Sequence, residues 1–232
     1  MKSVLVTGTD TGVGKTMLCR FLASDLRQKG VNVITQKWVQ TGCGQDDDIR
    51  DHNLFPLPAW KEVENLDDLR TPYRLKYQAS PHLAADREDI RIDIEKIETS
   101  YARLCRYFDL VLVEGSGGVL VPLTGEVLLA DLAARLSMAA VVVVRNQLGC
   151  INHTLLTLEA LHARGIPVLG TAFNRMSADG DETILRDNVK TVSLISHIPI
   201  LGEIPFLEKD ADVTGALGDL ADVFYQRWKE EG

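Results

Sequence analysis

The feature that most narrows what this chain can fold into is a stretch near its amino terminus, Gly8-Thr9-Asp10-Thr11-Gly12-Val13-Gly14-Lys15-Thr16. It follows an apolar, β-branched run at residues 3–7 and precedes an amphipathic run at 17–28, where Leu18, Phe21, Leu22 and Leu26 share one helical face. A strand, a glycine-rich loop ending in Gly-Lys-Thr, and a helix form the context in which such a motif binds phosphate. The glycines let backbone N–H groups curl around phosphate oxygens, and the helix that follows adds the positive end of its dipole. The candidate nucleotide contacts are Gly12, Val13, Gly14, Lys15 and Thr16. Lys15 is expected to reach the β and γ phosphates of ATP, and the Thr16 hydroxyl to sit on Mg²⁺. The common G-x-x-x-x-G-K-T spacing needs glycine at position 9, where Thr9 stands; the first glycine is Gly8, so the loop is one residue longer.

Beyond the loop, strand-like and helix-like stretches alternate. Residues 31–37, 110–114, 139–145, 167–173 and 199–204 read as strands. Residues 81–87, 93–107, 128–136, 151–164, 181–193 and 213–229 read as helices. Such alternation predicts an α/β fold of the P-loop NTPase type, with a mostly parallel sheet and helices on both faces. The 232 residues are expected to form one domain over 1–232, long enough to bury a sizeable core. Residues 43–71 stand apart: they carry Asp46, Asp47 and Asp48 and read as a mobile excursion, of a length often used for lids or binding loops.

Charge and composition exclude several classes. The net charge of −8 and the scattered Lys and Arg argue against a nucleic-acid partner. The longest apolar run, 138–144, is far below the roughly 18 residues of a membrane span. The amino terminus enters a strand at once, which predicts no signal peptide. Cys19, Cys43, Cys105 and Cys150 show no C-x-x-C or Cys/His ligand spacing and read as thiols of a reducing cytoplasm.

Other polar residues are expected at the same edge of the sheet, because ligands of such folds sit beyond the carboxyl ends of the strands. The second strand delivers Lys37 and then Thr41, and the strand at 110–114 delivers Glu114 ahead of Gly115, Ser116, Gly117 and Gly118. A lysine and a carboxylate beside Mg-ATP are what phosphoryl transfer requires. Taken alone, Lys37 also reads as a solvated lysine, Glu114 as a glutamate at a strand end, and the Asp46–Asp48 cluster as a solvated loop. The five histidines show no ligand spacing.

With these residues assembled, the chain resembles the dethiobiotin synthetases. The match runs through residues 8–16, Lys37 with Thr41-Gly42, Ser80-Pro81-His82 and Val113-Glu-Gly-Ser-Gly-Gly118. It continues through Gly149-Cys-Ile-Asn-His153, Asn174 and Gly202-Glu-Ile-Pro-Phe-Leu207. The resemblance implies that CO₂ or bicarbonate is joined to 7,8-diaminononanoate, with ATP and Mg²⁺, to close the ureido ring of dethiobiotin. It implies Lys37 and Lys15 as catalytic lysines, and Thr16, Glu114 and a loop aspartate as Mg²⁺ ligands. Asp48 is chosen over Asp46 and Asp47 because it precedes the aliphatic Ile49. Asn174, Arg175, Pro205, Phe206 and Leu207 would hold the nucleotide with Gly115, Ser116 and Gly117. Thr11, Thr41 and Pro81 would touch the substrate. Gly149, Cys150, Ile151 and Asn152 would receive its carboxylate from the partner subunit, which implies a homodimer.

Two departures stand out: Trp38 follows Lys37 where the family often has proline, an indole large enough to repack the end of the second strand and shift Lys37, and residues 46–69 match poorly. Two competitors remain. The cobyrinate-amidating ligases of the same fold normally carry a glutaminase domain, for which 232 residues leave no room. The partition and septum-positioning switch ATPases carry a lysine five residues before the loop lysine, where this chain has Asp10.

Overall fold

The computed structural model describes residues 2–44, 63–207 and 219–230. Strands dense in Val, Leu and Ala, and buried on both faces, build its centre. β1 (Ser3–Gly8) is buried at every position, as is β2 (Val33–Gln36). β5 (Leu110–Gly118), β6 (Ala139–Arg145), β7 (Val168–Asn174) and β8 (Ile200–Ile204) complete a six-stranded sheet of order β2-β5-β1-β6-β7-β8. Every pairing in it is parallel.

Strand alternation sends successive side chains to opposite faces. Val4, Val6, Val141 and Val143 pack with Leu18, Leu22 and Leu26 of α1 (Lys15–Gln28) and with Phe224 of α8 (Leu220–Glu230). Leu5, Ala140, Val142 and Val144 join the other layer. There they meet α4 (Ile94–Tyr107), α5 (Leu129–Arg135), α6 (Cys150–His162) and α7 (Glu182–Ser196), through residues such as Ile97, Leu132, Leu161 and Val192. α3 (Pro81–Arg87) begins on its proline, whose fixed φ suits a first turn. Asp93 caps α4 by accepting the Glu95 amide at 2.9 Å. Among the described residues no helix is long and apolar enough to cross a membrane.

Two sequence expectations change. Residues 115–118 do not follow the strand but continue it, since β5 runs to Gly118, which pairs with Gly8. Thr41 is not delivered by β2. The chain leaves the main sheet at Lys37 and forms β3 (Val39–Gln40), which pairs in parallel with β4 (Tyr73–Arg74) in a separate two-stranded sheet. Burial of the Trp38 ring, 1 % exposed, goes with this bend. The closing helix is described from Leu220, and its expected start at 213 lies outside the described residues, as do all of 208–218. So does most of the acidic excursion, 45–62, with Asp46, Asp47 and Asp48; its described end carries α2 (Leu66–Arg70).

Candidate active site

The loop after β1 turns on two glycines with positive φ, Gly12 and Gly14, of which Gly14 has no room for a side chain. Gly14, the N-cap of α1, has φ 102°, and a Cβ built there would lie 2.2 Å from Asn174 Nδ2. A non-glycine residue is strained at such a φ, and the clash with the buried Asn174 adds to it. Gly14→Ala is therefore expected to destabilise the fold by about 2 kcal/mol or more, read from urea unfolding, and to weaken nucleotide binding.

Lys15 is the first residue of α1 and is 6 % exposed, with Nζ donating to the Asp10 carbonyl at 2.9 Å. Burial pushes its ammonium down to about 8; the Glu114 charge opposes this and the Lys37 charge adds to it. The Thr16 hydroxyl donates to Glu114 Oε1 at 2.9 Å. Lys37, just past β2, reaches the same oxygen with Nζ at 2.8 Å. Glu114 is 2 % exposed, on the interior strand β5 beside β1. Two elements, α1 and the end of β2, thus bring a hydroxyl and an ammonium group onto one carboxylate oxygen, with the Lys15 ammonium held nearby in the phosphate loop. Trp38 does not displace Lys37, which stays in the cleft.

That cleft has a volume of about 680 Å³. It gathers Thr11, Gly12, Gly14, Lys15 and Thr16 with Lys37, Thr41, Pro81 and Glu114 to Gly117. Ser116 Oγ donates to the Val39 carbonyl at 2.5 Å and so ties β5 to the small sheet that carries Thr41. Gln40 and Gln78 also line the cleft, and sequence reasoning missed both. The signal for Gln40 was its place next to Thr41; Gln78 offered none.

The remaining site candidates lie elsewhere. Val13 is buried, and its carbonyl accepts the Asn174 Nδ2–H at 2.9 Å. Asn174, expected to hold the nucleotide, is 1 % exposed and ties β7 to the phosphate loop through this bond. The Arg175 guanidinium is engaged by Glu182, at 2.9 Å from Nη2 to Oε2. Pro205, Phe206 and Leu207 follow β8 with Phe206 exposed. Gly149 (φ 90°), Cys150, Ile151 and Asn152 form the amino end of α6 and do not line the cleft of their own chain. The loop ahead of them is pinned from α7, where Asn188 Nδ2 donates to Asn146 Oδ1 at 2.9 Å and to the Gln147 carbonyl at 3.1 Å. Asp48 lies outside the described residues.

A family model described as an AAA domain matches residues 2–213. An ATP-dependent dethiobiotin synthetase, BioD of Chlorobaculum tepidum, is 40 % identical over 219 residues, covering 94 % of this chain and 90 % of the relative. The chain belongs to the ATP-dependent dethiobiotin synthetase family. Other members of the dethiobiotin synthetase family agree in extent. The Methanocaldococcus jannaschii BioD is 37 % identical over 86 % of this chain and 92 % of its own, and the Nitrosospira multiformis BioD 36 % identical over 96 % of each. Among solved structures, the MinC:MinD cell division protein complex of Aquifex aeolicus aligns with a TM-score of 0.63 over 99 % of this chain and 96 % of that chain. At 17 % identity this likeness extends the dethiobiotin synthetase frame to a shared fold alone.

Proposed function

We propose that this chain, as one domain over 1–232, closes the ureido ring of dethiobiotin from 7,8-diaminononanoate and CO₂ at the expense of ATP. The observation that carries the reading is the meeting of Lys15, Thr16, Lys37 and Glu114 in one cleft beside the phosphate loop. A nucleotide switch needs the loop; it does not need a second lysine delivered from the end of β2 into a cleft of small-molecule size.

The chemistry calls for such an arrangement. One amine of the diamine adds to CO₂ and loses a proton, giving a carbamate. A carbamate oxygen attacks the γ-phosphorus and ADP leaves. The second amine attacks the carbamoyl carbon, the C–O bond breaks, and phosphate departs with the proton balance closed by solvent. The first transfer brings two anions together, so its barrier falls when fixed cations face the developing charge. Lys15 serves the phosphates from the loop, and Lys37 serves the carbamate from the end of β2. Thr41, Thr11 and Pro81 orient the diamine, and Gly115, Ser116 and Gly117 line the phosphate side.

The donor set fits Mg²⁺. A hydroxyl and a carboxylate, Thr16 and Glu114, stand 2.9 Å apart, and a hard ion that keeps several waters wants few protein oxygens. These two residues would hold it, with Asp48 as the third; when bound it neutralises phosphate charge. Asn174, Arg175 and residues 205–207 flank the nucleotide at the ends of β7 and β8.

The amino end of α6, with Gly149 to Asn152, completes the cleft of a partner protomer and takes the substrate carboxylate at the positive end of the helix. The exposure of Leu148 and Leu156, 80 % and 55 %, supports a homodimer formed along this helix. Four cysteines that form no disulfide suit a cytoplasmic enzyme. The test is incubation with Mg-ATP, ¹³C-bicarbonate and the diamine, followed by mass spectrometry. A dethiobiotin product one mass unit heavier supports the reading, and unchanged diamine beside hydrolysed ATP refutes it.

A further inference from the structure

Lys37 follows β2, and among the described residues β2 is an edge strand: it pairs there with β5 alone, and no described strand bonds the outward backbone groups of Thr35 and Lys37. Arg70, the last residue of α2, covers that edge. Its carbonyl accepts the Lys37 amide at 2.8 Å. Its guanidinium donates from Nε to the Thr35 carbonyl at 3.1 Å and from Nη2 to Thr35 Oγ1 at 2.8 Å. The side chains flanking Lys37 are tied to the same place. Gln36 Nε2 donates to the Leu69 carbonyl at 2.8 Å, and the Trp38 indole N–H donates to Gln36 Oε1 at 3.1 Å. Arg70 is 0 % exposed, Gln36 0 % and Trp38 1 %.

Burying a guanidinium is costly, and a well-packed apolar residue commonly fills such a place with equal or better stability. An apolar side chain would not hold the free edge of β2. Stability is therefore a poor reason for an arginine here, and geometry is a good one. The bonds fix the backbone of residues 35–38 on the side away from β5, and Lys37 is the one residue of that run whose side chain enters the cleft.

We infer that Arg70 is a positioning residue of the synthetase reaction: with Gln36 and Trp38 it clamps the end of β2 so that the Lys37 ammonium faces the carbamate and γ-phosphate. The inference rests on the role proposed for Lys37. It also gives Trp38 a function, as the donor that holds Gln36 in its bond to α2. Arg70 touches no reacting atom, so its effect runs through Lys37 and falls on turnover, not on nucleotide binding.

The test compares wild type, Arg70→Lys, Trp38→Phe, Lys37→Ala and the Lys37→Ala/Arg70→Lys double variant. Each is assayed for diamine-dependent phosphate release, KM for ATP and thermal melting, at a temperature where all are folded. A small displacement of a catalytic group costs up to about 100-fold. Arg70→Lys is expected to lose about 10-fold or more in kcat with KM for ATP within about twofold, and Trp38→Phe to lose kcat in the same pattern to a smaller extent. In the Lys37→Ala background the Arg70 change is expected to cost nothing further in kcat, because the group it positions is gone. A folded Arg70→Lys enzyme with wild-type kcat overturns the inference, and so does a full additional loss in the double variant. If Arg70→Lys does not fold, Trp38→Phe decides: unchanged kcat overturns the clamp. A wild type without diamine-dependent release counts against the synthetase reading itself, and Lys37's role falls with it.

Discussion

Lys37→Met is expected to lower kcat for ring closure by about 10²–10³-fold, the loss typical when one preorganised charge-stabilising group is removed. ATP binding is expected to stay within about threefold, since the phosphate loop, Lys15 and Thr16 are untouched. Methionine keeps the length and most of the volume of the stem, so the result reports the charge and not a cavity. Lys15 does not substitute for it: its Nζ is held by the Asp10 carbonyl within its own loop. Single-turnover kinetics with saturating Mg-ATP, beside equilibrium nucleotide titration, check both parts. A variant with weakened ATP binding and intact kcat would assign Lys37 to nucleotide affinity instead.

Glu114→Gln is expected to be the most disruptive single change. Glu114 is 2 % exposed and takes Thr16 and Lys37 on one oxygen. The amide keeps the shape and an acceptor but removes the charge that offsets the buried Lys37 ammonium. Breaking a buried ion pair from one side costs about 3–5 kcal/mol. The cleft admits solvent, so a loss near 3 kcal/mol in urea unfolding is the expected figure. Turnover is expected to fall beyond that of Lys37→Met, because the carboxylate proposed to hold Mg²⁺ is lost too. In Glu114→Gln/Lys37→Met the stability cost is expected to shrink, since the Lys37 ammonium that the single change leaves without its carboxylate is gone as well. Equal destabilisation in the single and double variants would show that the pair contributes little.

What was legible in the sequence is what local chemistry determines. The phosphate loop announces itself because glycine, lysine and threonine are needed at fixed offsets between a strand and a helix. Ala139–Arg145 was found as observed because a β-branched run buried on both faces has few other uses. Pro81–Arg87 was found because proline suits a first turn. The misses are non-local. Residues 115–118 look like a loop by propensity, and Gly118 is held in the strand by its pairing with Gly8. β3 and β4 are two residues each, too short for any periodic signal, and they pair across 33 intervening positions, yet they set Thr41 and Gln40 in the cleft. Trp38 looked like a disturbance beside Lys37; the bond from its indole to Gln36, and from Gln36 to Leu69, makes it part of the support.

The most direct test of the central claim is phosphate release from Mg-ATP under four conditions: with both diaminononanoate and bicarbonate, with each alone, and with neither. Carbamate phosphorylation requires release only when both are present, at one phosphate per ring closed. Release at the same rate in all four conditions would contradict the account, and would return the chain to the class of nucleotide switches whose fold it shares.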